Sequence, residues 1–152
     1  MMSVMEQISS PWLVAACVGW FVAQVAKTIV CSIKKGKFDW REFLKSGGMP
    51  SSHSSTVVAL TTAIGMDDGN GSLGIGTPLF ALALVMAIIV IYDATNVRRA
   101  TGEQGDAINE LIGDTKKIKK PYFSRGHKPA EAVIGSIIGV LTGVIVVIAF
   151  RC

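Results

Sequence analysis

The chain has only two histidines, His53 and His127, and both stand among residues that can handle an anion. His127 is followed four residues later by Glu131, about one helical turn away. His53 follows Ser51 and Ser52, residue types that cap helix N-termini. Lys27 is the one charge in the run from Pro11 to Ile33, and Arg98 and Arg99 form the one adjacent arginine pair, shortly after Asp93. Each has a purely structural role open to it. Lys27 can snorkel to an interface, Ser51 to His53 can cap a helix, and His127 can lead into a first turn opened by Pro129. The arginines can anchor topology, with Asp93 as an ion-pair partner. Taken together, two histidines, a lysine, an arginine pair and two helix N-termini make a site for an anion. Helix N-termini offer unpaired N–H groups and the positive end of the dipole, and arginine can clamp a phosphate with two bonds.

Apolar helices have to position these residues. Half of the 152 residues are hydrophobic and only 17% are charged, against about 25% in an average soluble domain. The apolar residues come in blocks: Pro11 to Ile33 broken only by Lys27, then Thr77 to Tyr92 and Ala132 to Phe150 with no charge at all. A hydrocarbon core of roughly 30 Å needs about 20 helical residues. The first and last blocks meet this outright, and the Thr77 block does so if it runs on past Asp93. A shorter run, Ser54 to Met66, reads as a short span or a re-entrant helix. The first block lacks the basic leader of a secretory signal and reads as a retained span. The expected fold is therefore all-α, a single membrane-embedded domain over residues 1–152. It has about four transmembrane helices, the second short or re-entrant, plus an amphipathic cytoplasmic extension over Arg98 to Ile112, ended by Gly113. Cys17, Cys31 and Cys152 show no pairing or metal spacing. Asn70-Gly71-Ser72 and its acidic neighbours read as turn chemistry.

Charge sets the expected orientation. Of the fifteen Lys and Arg residues, five lie in Lys34 to Lys45 and eight in Arg98 to Lys128, whereas the loop Asp67 to Gly76 has none. Four crossings bring both basic segments to one side, which the positive-inside rule makes cytoplasmic. The expectation is a multi-pass cell-membrane protein with its N-terminus outside. Lys27 lies seven residues before Lys34, so about 10 Å below the inner end of the first helix. Lys27, both histidines, Asp93 and the arginine pair then fall at one depth on the cytoplasmic side. The basic loops are expected to touch anionic lipid rather than nucleic acid.

Four segments carry a family resemblance: Gln24 to Lys27, GGMPSSHSS at 47–55, YDATNVRRATGEQ at 92–104 and GHKPAE at 126–131. They resemble, in order, the motifs of the divergent membrane branch of the type 2 phosphatidic acid phosphatase and vanadium haloperoxidase superfamily. The resemblance extends over most of the chain and implies metal-independent phosphate-ester hydrolysis with no cofactor. It makes His127 the nucleophile, Glu131 the group that orients it and His53 the general acid. Lys27, Ser51, Ser52 and Arg98 or Arg99 become phosphate-binding residues, with Gln24 and Asp93 in support. Departures are visible: Ser52 replaces a glycine, Glu131 an aspartate, and the arginine pair lies nearly thirty residues before His127 instead of six. Arg125, two residues before His127, is a competing arginine. The implied substrate is a lipid or isoprenoid phosphate, and a homo-oligomer is compatible with four short spans.

Other readings weigh against this one. A non-catalytic head-group binder or small transporter would also use an intramembrane lysine and a basic face. Asp93, Arg98, Gly102, Asp106 and Glu110 resemble in part the metal-dependent CDP-alcohol phosphotransferase motif, without its opening aspartate pair. His53 and His127 could share a zinc ion but lack an evident third ligand.

Overall fold

A computed structural model of the protein describes residues 10–37, 43, 48–67, 69–113 and 126–152. Residues 38–42, 44–45 and 114–125 of the two basic segments, including Arg125, lie outside these. Among the described residues, five α-helices follow in order: α1 (Pro11–Lys35), α2 (Ser52–Met66), α3 (Pro78–Tyr92), α4 (Arg98–Ile112) and α5 (Pro129–Arg151). One π-helical turn, Asp93–Val97, joins α3 to α4 without a break in the rod. Among the described residues, three helical stretches are long and apolar enough to cross a membrane: Pro11–Lys35, Pro78–Ile112 and Pro129–Arg151. The chain folds as an all-helical membrane bundle.

Local chemistry fixes the helix ends. The Ser10 hydroxyl accepts from Leu13 N, and Pro11 takes the first-turn position where its missing N–H costs nothing. Thr77 and Pro78 repeat the arrangement for α3. Gly36 closes α1 at φ 65, the left-handed conformation that glycine adopts without a Cβ penalty. Gly113 ends α4, as its position in the sequence predicts.

The short helix α2 holds the bundle together, packed against α1, α3 and α5. Between apolar helices in lipid there is little hydrophobic drive, so association depends on close van der Waals approach. Glycines supply it. On α5, Gly135, Gly139 and Gly143 face the carbonyls of Ser51, Ser55 and Ala59 in turn. A Cβ at Gly139 would stand 2.6 Å from the Ser55 oxygen, and one at Gly143 2.8 Å from that of Ala59. Gly19 of α1 meets the Ala59 methyl on the other side, and the Ser55 hydroxyl donates to Gly19 O at 2.8 Å.

These contacts also set direction. The residue numbers of α2 and α5 rise together, so the two helices run parallel. The Thr61 hydroxyl donates to Ala83 O, and Gly65 lies against Phe80, so α3 runs antiparallel to α2. Trp12 Nε1 donates to Asp67 O at 2.9 Å, and Lys27 lies beside Gly48, so α1 is antiparallel as well. The start of α1, the 67–77 loop and the end of α5 therefore share one face. There Arg151 donates to Met66 O and pairs with Asp67. The end of α1 and the starts of α2 and α5 share the other.

At 1.5 Å per residue the fifteen residues of α2 cover about 22 Å, less than a hydrocarbon core of about 30 Å. Its C-terminal end is level with the ends of α1 and α5 at the Arg151 face. Its N-terminus lies level with the first turn of α5, where Ser51 N–H donates to Glu131 O.

Candidate active site

The candidate site is built on two helix N-termini bonded to each other. Ser51 caps α2: its hydroxyl accepts from Ser54 N at 3.3 Å and from the Ser54 hydroxyl at 3.1 Å. Its own N–H donates to Glu131 O, in the first turn of α5, at 3.1 Å. Gly135 then lies directly against the Ser51 carbonyl, an approach that any larger residue would block. The serines that the sequence offers as phosphate ligands are thus also the cap of α2. Ser51, Ser52, Ser54 and Ser55 are all buried.

His127 stands two residues ahead of α5 and is 3% exposed. Three bonds hold this corner. The His127 N–H donates to Ala94 O, in the π-turn, at 2.9 Å. Its Nδ1 lies 3.1 Å from Glu131 Oε2, and the same oxygen accepts from Lys128 N at 3.2 Å. With the carboxylate ionised, the shared proton belongs on Nδ1, and Nε2 is left as the basic nitrogen. Gly126 packs against the backbone of Arg98 and Arg99, so no side chain fits there. The His53 and His127 rings meet edge to face, centroids 5.9 Å apart and planes at 61°.

Lys27 is 5% exposed, and the open Cβ side of Gly48 lies against its stem. Lys27, Arg98, Asp93 and His127 all lie near enough to act on His53 electrostatically. Gln24, one turn before Lys27, is also buried, and its amide donates to Phe43 O at 2.7 Å. Among the described residues, two buried polar atoms here have no hydrogen-bond partner: Gln24 Oε1 and His53 Nδ1. Such atoms are few in folded proteins, each costing about 1–3 kcal/mol.

The arginines are placed less directly. Arg98 Nε pairs with Asp93 Oδ2 at 2.6 Å, and Arg99 Nε with Glu103 Oε1 at 2.9 Å, all four side chains being well exposed. A guanidinium has five donors, so each pair fixes the fork while using part of it. Arg99 also lines a cavity of about 160 Å³ with Gly102, Glu103, Asp106, Gly126, His127 and Lys128. Among the described residues, no three His, Cys, Asp or Glu side chains converge as a metal site would require.

Two positioning elements escaped the sequence reading. One is the Ala94 carbonyl, which works through its backbone and leaves no side-chain signature. The other is the glycine series at 135, 139 and 143, whose four-residue spacing is a readable sign of close helix packing.

Comparison with known proteins now bears on this geometry. A family model described as "Divergent PAP2 family" matches residues 8–142, which takes in every residue of the site. The chain belongs to the divergent PAP2 family. It is also 34% identical over 153 residues to the "Uncharacterized membrane protein YuiD" of Bacillus subtilis (strain 168), covering 90% of this chain and 94% of that one. No solved structure matches it. The family match spans all four segments singled out in the sequence. The structure brings the second and fourth together as the paired N-termini of α2 and α5.

Proposed function

We propose that this divergent PAP2 protein is a membrane phosphatase acting on a lipid or isoprenoid phosphate through a phosphohistidine. One observation carries the reading: a buried His127 with Glu131 on Nδ1 and a second histidine ring 5.9 Å away. A phosphorus at about 3–3.5 Å from the attacking Nε2 leaves His53 within reach of an oxygen on the same phosphate. His127 Nε2 attacks phosphorus, the bond to the ester oxygen breaks, and His53 gives its proton to the leaving alkoxide. Glu131 stabilises the cationic ring. Water then attacks the phosphohistidine, His53 takes its proton, the P–N bond breaks and orthophosphate leaves. Lys27, the arginines and N–H groups at the start of α2 would hold the charged oxygens, which is the larger part of phosphoryl-transfer catalysis. The site faces the cytoplasm in this reading, because the basic segments flank it, and those segments rest on anionic lipid. Association into a homo-oligomer is compatible with this arrangement.

The pairing of Arg98 with Asp93 and Arg99 with Glu103 favours a second reading, a head-group binder that does not turn over. A phosphate-release screen over lipid phosphates and pyrophosphates, with His127→Ala as control, separates the two. Release by the wild type that disappears in His127→Ala supports the phosphatase. Binding of a lipid phosphate without release from any compound supports the binder.

A further inference from the structure

The rod that joins α3 to α4 is α-helical except at Asp93–Val97, where it is π-helical. A turn of this kind amounts to one residue inserted into an α-helix, and it is frequent at functional sites. The local residues suit it. Asp93 and Arg98 are near enough in sequence to pair, but five residues apart on an α-helix they would point roughly 140° apart around the axis. A turn closed at the fifth residue sets them one above the other. Arg98 N donates to Asp93 O, and Arg98 Nε meets Asp93 Oδ2 at 2.6 Å. The Thr95 hydroxyl donates to Ile91 O at 2.8 Å and the Asn96 amide to Tyr92 O at 3.2 Å. Bonds four residues back are common in ordinary helices. The five-residue ion pair is not, and it depends on the turn.

The same turn is where the rod reaches the start of α5. Ala94 is 1% exposed, and its carbonyl accepts from His127 N at 2.9 Å. Gly126 lies against the backbone of Arg98 and Arg99 just beyond. One short turn thus holds the backbone of a buried histidine and the side chain of an arginine that is near enough to act on the other histidine. We infer that the π-turn is the positioning device of the oxyanion site: Ala94 O seats His127, and Asp93 holds Arg98 through Nε, leaving its Nη groups to meet an oxyanion. Ala94 and Asp93 are then positioning residues that act through His127 and Arg98. The inference rests on the phosphatase reading for its oxyanion, whereas the seating of His127 is a property of the fold.

Two variants separate these duties. Deletion of Asn96 takes out the inserted residue, so the rod closes as an α-helix with both flanks in register. It leaves Asp93 and Arg98 four apart, a spacing at which an α-helix also pairs them. What it removes is the wide turn at Ala94. Amide hydrogen exchange, read residue by residue in detergent micelles, reports the seat. The His127 amide should exchange at least about tenfold faster than in the wild type, while the Ser51 amide, bonded to Glu131 O, keeps its protection. Phosphate release should fall about 10²-fold in the same variant. An unchanged His127 amide, equal acceleration of both amides, or wild-type release despite faster exchange overturns the inference. Asp93→Asn tests the other duty without relying on the deletion to fold. It should weaken orthovanadate binding roughly tenfold in the wild-type background and not at all beside Arg98→Ala, because the two residues act as one. No loss, additive losses, or tighter binding once the carboxylate charge is gone overturns the role of Asp93. A wild type that neither binds orthovanadate nor releases phosphate counts against the phosphatase reading alone, and exchange at His127 still decides whether the turn seats the histidine.

Discussion

Glu131 serves two neighbours with one oxygen. It accepts from Lys128 N, closing the first turn of α5, and it meets His127 Nδ1. The two duties can be separated. Glu131→Gln keeps an oxygen for the cap but loses the charge that stabilises a cationic ring. Phosphate release should fall roughly 10²-fold or more while the melting temperature stays close to wild type. Glu131→Ala should lose both, the cap being worth about 0.5–2 kcal/mol. Equal stability losses in the two variants, with activity following stability, would make the residue a cap alone. His53→Ala should lower turnover of a poor leaving group by about 10²–10⁴-fold. It should lower that of p-nitrophenyl phosphate much less, since nitrophenolate leaves without a proton. Equal losses on both substrates count against His53 as the acid.

At the scale of elements, the glycine faces of α5 and α1 decide whether the site exists. Gly139→Leu would drive a side chain into the Ser55 carbonyl and push α5 off α2. Overpacking of this kind costs about 1–3 kcal/mol, and here it also separates the two histidines. A lower melting temperature with lost activity is expected, whereas Gly76→Ala, with nothing within 4 Å of the added carbon, should behave as wild type. A Gly139→Leu protein with wild-type stability would mean that the α2–α5 contact is looser than this geometry requires. The same interface shows what the sequence could reveal. The long apolar blocks, the stop at Gly113 and the capping serines were legible, because hydropathy and turn chemistry are local. The placement of His53 beside His127 was legible only as shared depth. What brings them into contact is Ser51 N bonding Glu131 O across 80 residues, and a backbone–backbone bond leaves no mark on residue type. Asp93 and Arg98 could be paired from their spacing, but the π-turn between them could not. Nor could the packing of Gly126 against the arginine backbone, since a glycine before a helix also reads as an ordinary turn.

Across the whole molecule, the helix directions alternate, and Arg151 ends on the face opposite the histidines. With Cys17 and Cys31 replaced by serine, Cys152 should react with a membrane-impermeant thiol reagent in intact cells. Lys128→Cys, at an exposed position, in a chain lacking all three natural cysteines should react only after permeabilisation. The reverse pattern would put the site on the outer face and rule out a cytoplasmic substrate. A further consequence lies in the rod that α3 and α4 form through the π-turn. Lys27, His53, His127 and Glu131 ride on α1, α2 and α5, which the glycine contacts lock into one block. Arg98 and Arg99 ride on the rod, which α2 grips along α3 and α5 touches only at the π-turn. A bound oxyanion touching both the block and the rod would act as a clamp between them. Orthovanadate at 100 times its dissociation constant would add about 2.7 kcal/mol by mass action, read as a higher melting temperature.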